Sequence, residues 1–504
     1  MKVLIFHGYL LGGTGSNVYN ASLATALARL GHEVHLLCQD REVDDLGARA
    51  PGSVTIHNPK IGGLLPVFVR DSYAGFEVKT FAELSEDELA GYIDANVAAV
   101  RALVTSLGGV DAALANHLVM GPVILARAGL RYALKVHGSD LSYTVLPDLE
   151  RFGPYAEEAV GEASGVLVGS GHIADRLREA VGNSADAKIR LGPPGVDTDL
   201  FAPIPSAQRP ERLRALADEL RLGERGKRGG EGAGPTAPTA WSRDLRQAAD
   251  AIDWFAEARG PRVIFVGKLI VSKGVDLLLA AWPLVHRRHP EARLLIVGFG
   301  SGEAALREVV VGFGQGDLGP LRDLADRGRG LEGADDARLP LLTAFLAAAE
   351  DDYAEAARTS APSIRFAGRL EHDEVAVPVS AADALIFPST FPEAFGMVAA
   401  EAASAGTLPI SARHSGAAEV SEALAAELGE TEGELVSFEL DHESVGAIAQ
   451  RLDRWFALAR PERELLSAAL RETSGGLWGW ERVARTVLAA AAGELDELPR
   501  PVAL

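Results

Sequence analysis

Two carboxylates frame the stretch Pro392-Glu393-Ala394-Phe395-Gly396-Met397-Val398-Ala399-Ala400-Glu401, which closely follows the apolar run Ala384-Leu385-Ile386-Phe387. A strand that ends in a Pro-Glu turn and passes into a helix opening with glycine leaves bare N–H groups at the positive end of the helix dipole. That end suits an anion. The carboxylates do not, and a sugar-bearing ligand explains them best, with Glu393 able to accept from sugar hydroxyls and Glu401 from a ribose. Upstream, Gly267-Lys268 closes the run Val263–Val266, and Ser272-Lys273-Gly274 stands at the next helix start. Read alone, these are two solvated lysines. Read with the 392–401 stretch, at the carboxyl ends of strands where ligands bind such sheets, they describe a diphosphate site for a sugar-bearing ligand.

A second phosphate-compatible loop lies near the start of the chain. Gly12-Gly13-Thr14-Gly15 leads into a helix whose beginning is marked by Ser16 and Asn17. The dinucleotide fingerprint needs a third glycine where Val18 stands, although Asp40 follows the second strand where a ribose-binding acid belongs. A nicotinamide enzyme and a plain structural turn both stay open on this loop.

The elements that must position these residues form two βα series. Lys2–Phe6, a glycine loop, a helical pattern over Val18–Leu30 and Glu33–Leu37 make a βαβ unit. Further apolar runs follow at Val54–His57, Ala112–Ala115, Tyr132–Val136 and Gly165–Val168. The pattern restarts at Arg262, with runs at Val263–Val266, Leu294–Val297, Ile364–Ala367 and Ala384–Phe387. The expected fold is α/β, with two Rossmann-like doubly wound domains facing a cleft. The expected limits are an N-terminal domain over 1–204, a flexible insertion or linker over 205–260, a C-terminal domain over 261–474 and a closing helical segment over 475–504. The middle of the linker, GERGKRGGEGAGPTAPTA, is poor in apolar residues. A helical insertion of unread role occupies about 302–362.

The bulk numbers agree with this plan. At 504 residues the chain has room for two domains or more. It is 47% hydrophobic and 24% charged, as soluble globular proteins are, and its net charge of −21 argues against nucleic acid as a partner. The single Cys38 permits no internal disulfide. The opening MKVLIFHGY has too short an apolar run for a secretory signal, and no stretch is long enough to span a membrane. A cytoplasmic protein is expected, with peripheral membrane contact and oligomeric state left open.

The Glu393–Glu401 pair, the GK…SKG pair, the GGTG loop, His137-Gly138-Ser139-Asp140 and Pro194-Gly195-Val196-Asp197 together resemble the retaining GT-B glycosyltransferases of family four (glycosyl transferases group 1). The likeness covers nearly the whole chain outside the two insertions. It implies that a nucleoside-diphosphate sugar binds the C-terminal domain and an acceptor of unknown identity the N-terminal one. No cofactor or metal is implied. Lys268 and Lys273 would bind the leaving diphosphate, Lys268 standing where the family usually has arginine, which keeps the charge but gives up the bidentate fork. Glu393 would touch the donor sugar, Phe395, Gly396, Met397 and Val398 would present backbone N–H groups, and Glu401 would hold the ribose. Gly13 and Gly15 would let the N-terminal loop close over phosphate or acceptor, and His137 would lie by the scissile bond. Phe299-Gly300 and Gly368-Arg369 would border the base, and the helix from Trp480 would cross back to the N-terminal domain.

The expected activity is retaining, metal-independent transfer of a sugar from a nucleoside-diphosphate sugar to an acceptor hydroxyl. Two alternatives stand beside it. An NAD-dependent oxidoreductase would use the first βαβ unit but leave the two lysines idle. A non-catalytic sugar-nucleotide-binding subunit would keep the site without the reaction.

Overall fold

The computed structural model describes residues 1–11, 15–41, 46–47, 50–68, 76–223, 243–332 and 337–501. Its described residues divide into two compact units, one made of Met1–Gly195 with Trp478–Leu504 and the other of Val196–Leu477.

The first unit carries strands β1 (Lys2–Phe6), β2 (Glu33–Leu37), β3 (Ser53–His57), β4 (Leu64–Val67), β5 (Glu77–Thr80), β6 (Ala112–Asn116), β7 (Ala133–Lys135), β8 (Gly165–Val168) and β9 (Ile189–Leu191). Seven of them form one parallel sheet in the order β3-β2-β1-β6-β7-β8-β9, while β4 and β5 pair separately. The second unit carries β10 (Arg262–Val266), β11 (Arg293–Val297), β12 (Ile364–Gly368), β13 (Ala384–Phe387), β14 (Leu408–Ala412) and β15 (Ser437–Phe438). These pair in parallel in the order β12-β11-β10-β13-β14-β15. Near-continuous apolar strands such as Val263-Ile264-Phe265 and Ala384-Leu385-Ile386 suit a parallel sheet covered on both faces. The two Rossmann-like units match the expected fold class. In each, strand order reverses once, between β1 and β6 and between β10 and β13, so the following loops diverge and open a crevice at the strand carboxyl ends.

The domain limits differ from those expected. The units divide after Gly195 rather than at 204, and the chain returns to the first unit at Trp478 rather than 475. The segment 205–260, expected as a flexible linker, contributes two helices to the second unit, Arg209–Leu222 and Leu245–Ala256. The first hides an apolar stripe, Leu213, Leu216, Ala217 and Leu220, among seven charged neighbours that dominate its composition. The Gly/Pro-rich stretch between them lies outside the described residues. In the segment expected as a helical insertion, the helices Glu303–Gln315, Gly319–Arg327, Pro340–Ala348 and Tyr353–Ser360 stand between β11 and β12.

The closing helix Trp480–Ala492 belongs to the first unit, as the resemblance implied. Its stripe Val483, Ala484, Val487, Ala490 and Ala491 is buried in one core with Val3, Ile5, Leu23, Leu27 and Leu114. The glycine of the Pro194-Gly195 pair has its reason here, because a Cβ on Gly195 would stand 2.3 Å from the Trp480 ring. Replacing Val487 by aspartate places an unpaired carboxylate in that core. Urea unfolding of Val487→Asp is expected to show a loss of ~3–5 kcal/mol, or no folded protein at all. Wild-type stability would mean that the helix is dispensable to the unit.

Candidate functional site

In the second unit the loops after β10 and β13 meet across the reversal of strand order. Residues Val271–Lys273 form a single 3-10 turn, and Gly274 follows at φ +67° before helix Val275–Arg288. A side chain at Gly274 would put its Cβ 1.9 Å from the Pro388 carbonyl oxygen, so glycine is required by close approach as well as by φ. The Ser272 carbonyl accepts from Thr390 N–H at 2.9 Å, tying the two loops together.

That tie brings Lys273 to Glu393. Lys273 Nζ donates to Glu393 Oε1 at 2.5 Å, and Ser389 Oγ donates to the same oxygen at 2.6 Å. The Glu393 backbone is held as well, its N–H donating to Ser415 Oγ at 2.8 Å and its carbonyl accepting from Gly416 N–H at 3.0 Å. His414 donates from Nε2 to the Ser389 carbonyl at 2.7 Å, which leaves Nδ1 to accept from Ser415 Oγ at 3.1 Å. Lys268, two residues beyond β10, is exposed and has no ion-pair partner among the described residues.

Past Glu393 the chain reaches Gly396, which caps helix Met397–Ser404 with no side-chain bond and no acid in the first turn. Ala399 and Ala400 N–H already donate to the Gly396 carbonyl, which leaves the N–H groups of Met397 and Val398 for a ligand. The side chain of Phe395 is buried. Glu401, in the second turn, is buried and its Oε1 accepts from His372 Nε2 at 2.7 Å. Burial opposes the charge on His372, but the hydrogen bond and charge of Glu401, with Asp197 and Asp373 nearby, outweigh it and raise its pKa above 6.5. His372 also lies 5.1 Å, ring to ring, from Phe201. The Arg369 guanidinium stands 5.7 Å from the Phe299 ring, so the two pairs expected to border a base do meet.

The first unit assembles a different surface at its own strand ends. His7 follows β1, His117 follows β6 and His137 lies two residues past β7. Asn116 donates from Nδ2 to Asn20 Oδ1 and to the Phe6 carbonyl, so its Oδ1 accepts from His137 Nε2 at 2.8 Å. Asn20 in turn donates to His7 Nδ1 at 3.0 Å. Burial, followed by the proximity of His117, Lys135 and His7, lowers the His137 pKa far below 6.5. The ring is therefore neutral and carries its proton on Nε2, with Nδ1 bare. Burial with the neighbouring His117 lowers His7 to about 3. His117 itself lies at φ +66°, and both of its ring nitrogens lack a hydrogen-bond partner among the described residues. Gly15 begins helix Gly15–Arg29 with nothing within 4 Å of where a Cβ would stand, whereas Gly12, Gly13 and Thr14 lie outside the described residues. Asp40 accepts the Leu11 N–H at 3.0 Å through Oδ2, which ties the end of β2 to the loop after β1.

Thus Lys273 meets Glu393, the Gly396–Val398 helix start follows within five residues of it, and Glu401 lies one turn further along. Sequence reasoning missed His372, Ser389, His414 and Ser415. A histidine at the first position of helix His372–Ala381 and a Ser-Thr pair after β13 are common enough to give no local signal.

A pair of doubly wound parallel sheets with an anion-compatible helix start at the second switch point defines the GT-B class of fold. Solved structures agree on the fold. Anabaena HepE, crystallised with UDP and glucose, superimposes with a TM-score of 0.56 at 16% identity, covering 99% of this chain and 100% of that one. A Rickettsia africae glycosyltransferase gives 0.57 at 15% identity over 98% and 99% of the two chains. The sequence model of Glycosyltransferase Family 4 matches residues 13–200, and two models of Glycosyl transferases group 1 match residues 260–320 and 353–468. The chain belongs to this family of glycosyltransferases. Among curated relatives, a glycogen synthase of Mycobacterium tuberculosis is 30% identical over 168 residues, 32% of this chain and 30% of that protein. A GDP-mannose-dependent alpha-(1-6)-phosphatidylinositol monomannoside mannosyltransferase of Mycolicibacterium smegmatis is 28% identical over 186 residues, 36% of each. The matched stretches span about a third of these relatives' length.

The His372–Glu401 pair is expected to make the second unit's stability depend on pH. A histidine whose pKa is raised on folding contributes stability in full below 6.5 and loses it as pH rises through the folded value. The stability gap between wild type and His372→Gln is expected to be widest near pH 5.5 and to close in alkaline buffer. Denaturant melts across that range measure it, and a gap that widens with pH would contradict the pairing.

Proposed function

We propose that the protein is a retaining glycosyltransferase that moves a sugar from a nucleoside-diphosphate sugar to an acceptor hydroxyl without a metal ion. The observation that carries this reading is the convergence of Lys273, Glu393 and the uncapped start of helix Met397–Ser404 at the switch point of the second unit. Lys268 stands exposed on the same loop as Lys273 and is free to reach an anion.

In this reading the two lysines and the Met397 and Val398 N–H groups stabilise the negative charge that develops as the nucleoside diphosphate departs. Glu393, held by Ser389, orients the donor sugar, and Glu401 accepts from the ribose hydroxyls beside His372. The departing phosphate, on the face where the acceptor hydroxyl attacks the oxocarbenium-like carbon, takes the acceptor's proton. No further carboxylate is then needed as base. His137 contributes a neutral imidazole to the acceptor surface of the first unit. HepE was solved with UDP and glucose and the mycobacterial relative is named for GDP-mannose, so a nucleotide sugar is the shared donor class while base and sugar stay unassigned. The oxidoreductase alternative gives no use to Lys268 and Lys273.

Transfer or slow donor hydrolysis, screened against UDP, GDP and ADP sugars, tests the assignment. Lys273→Ala and Lys268→Ala are each expected to lower turnover about a hundredfold or more, the usual cost of removing one donor from a developing anion. Wild-type turnover in both would overturn the diphosphate site. Activity is expected to persist in chelator, and complete, metal-reversible loss would refute metal independence.

The two carboxylates should fail differently. Glu393→Gln is expected to lower kcat with little change in affinity, because its contacts position the sugar while charge develops. Glu401→Ala is expected to weaken calorimetric binding of the free nucleoside diphosphate by about tenfold or more, since a ribose contact is alike before and during reaction. Undiminished binding would remove Glu401 from the ribose.

A further inference from the structure

At the opposite, amino ends of β11 and β12, a cavity of about 270 Å³ opens between the Leu245–Ala256 helix end and the turns that lead into the strands. Trp254, Arg259, His286, Glu291, Arg293 and Ser363 are among the residues that line it. Leu295 pairs with Arg365, so Arg293 and Arg365 emerge from the same face of the sheet on neighbouring strands. Their guanidinium carbons lie 4.7 Å and 5.4 Å from the Trp254 ring centre.

The charge there is unbalanced. Arg293 has Glu257 at 4.0 Å as its nearest recorded carboxylate. Arg259 and Arg365 are exposed and have no ion-pair partner among the described residues. Burial lowers the Arg293 pKa, and repulsion from Arg365 and Arg259 works against Glu257 in the same direction. His286 is lowered by burial, so it adds no full charge at neutral pH. Three guanidinia against two carboxylates, Glu257 and Glu291, leave a local positive excess on a chain of net charge −21. None of these residues belongs to the lysine and carboxylate crevice.

We propose that this cavity is a second ligand site that takes a small hydroxylated phosphate ester. Arg259 and Arg293 address the phosphate oxygens, a tetrahedral dianion offering more acceptors to two guanidinia than a carboxylate does. Arg365 adds to the field beside Trp254. Glu291 would repel a bare anion but accepts from a hydroxyl, which selects an ester over inorganic phosphate. The volume lies just under the range of about 300–1,000 Å³ typical of drug-sized ligands, which suits a small metabolite.

Titration calorimetry with ribose 5-phosphate, inorganic phosphate and ribose, at low and near-physiological salt, tests the site. Ribose 5-phosphate is expected to bind once per chain and more tightly than phosphate, while ribose does not bind. Arg259→Glu and Arg365→Glu, both at exposed positions and so compatible with folding, should each weaken binding about tenfold or more. Lys273→Ala should leave it unchanged. No binding to wild type, binding unaffected by both arginine substitutions, binding abolished by Lys273→Ala, or ribose binding as well as its phosphate would each overturn the proposal. None of these readouts depends on sugar transfer, so the glycosyltransferase reading can fail without deciding this one.

Discussion

The pairing of β10 with β13, Val263 against Ala384 and Ile264 against Leu385, is the constraint from which the candidate site follows. These strands are far apart in sequence and adjacent in space, and strand order reverses between them. Their outgoing loops cannot cover each other's crevice, because each must turn toward a helix on its own side. Lys273 and Glu393, 120 residues apart, meet only because of that pairing. Gly274 makes the approach tight enough, since any side chain there would collide with the Pro388 carbonyl.

Placing carboxylates beside an anion site has an electrostatic cost that the chain offsets internally. Glu393 is paired with Lys273 and Glu401 with His372. Each acid therefore keeps a cationic or polarised partner of its own, and neither stands as an uncompensated negative charge next to the open helix start. The same pairs fix the side chains in advance, which lowers the ordering cost when a ligand arrives. In the proposed reaction Lys273 would serve two anions at once, as a flexible ammonium with three donors can.

Much of this was legible in the sequence because the signals were local. The apolar runs that became β1, β2, β10, β11 and β13 are uninterrupted, and the Pro-Glu turn and glycine-opened helix lie within ten residues. What escaped was either diluted or distant. β14 has Pro409 in its second position, which argues against a central strand, and β9 and β15 are too short to show a period. Helix Arg209–Leu222 disappeared into the charge of its exposed face. His372 reaches Glu401 across 29 residues and Ser415 reaches the Glu393 backbone across 22, contacts that only the folded sheet defines.

The two units handle histidine in opposite ways, and the difference follows from what surrounds each ring. His372 faces three carboxylates and gains charge on folding. His7 and His137 face other histidines, asparagines and the buried Lys135, with burial the largest influence on both. Their folded pKa values lie below the ordinary 6.5, so the unfolded chain binds protons first as pH falls, and acid withdraws stability from the first unit through that window. Lys135, lowered to about 7 by burial, stands over the Tyr19 ring and donates to the Gly192 carbonyl. Tyr19 also touches both His137 and Trp480, at ring distances of 5.1 and 5.5 Å. The Tyr19 ring that packs against the returning helix thus also packs against His137 and adds to the burial that disfavours its charge. In the proposed reaction, presenting the His137 imidazole as a hydrogen-bonding group rather than as an ion depends on that packing.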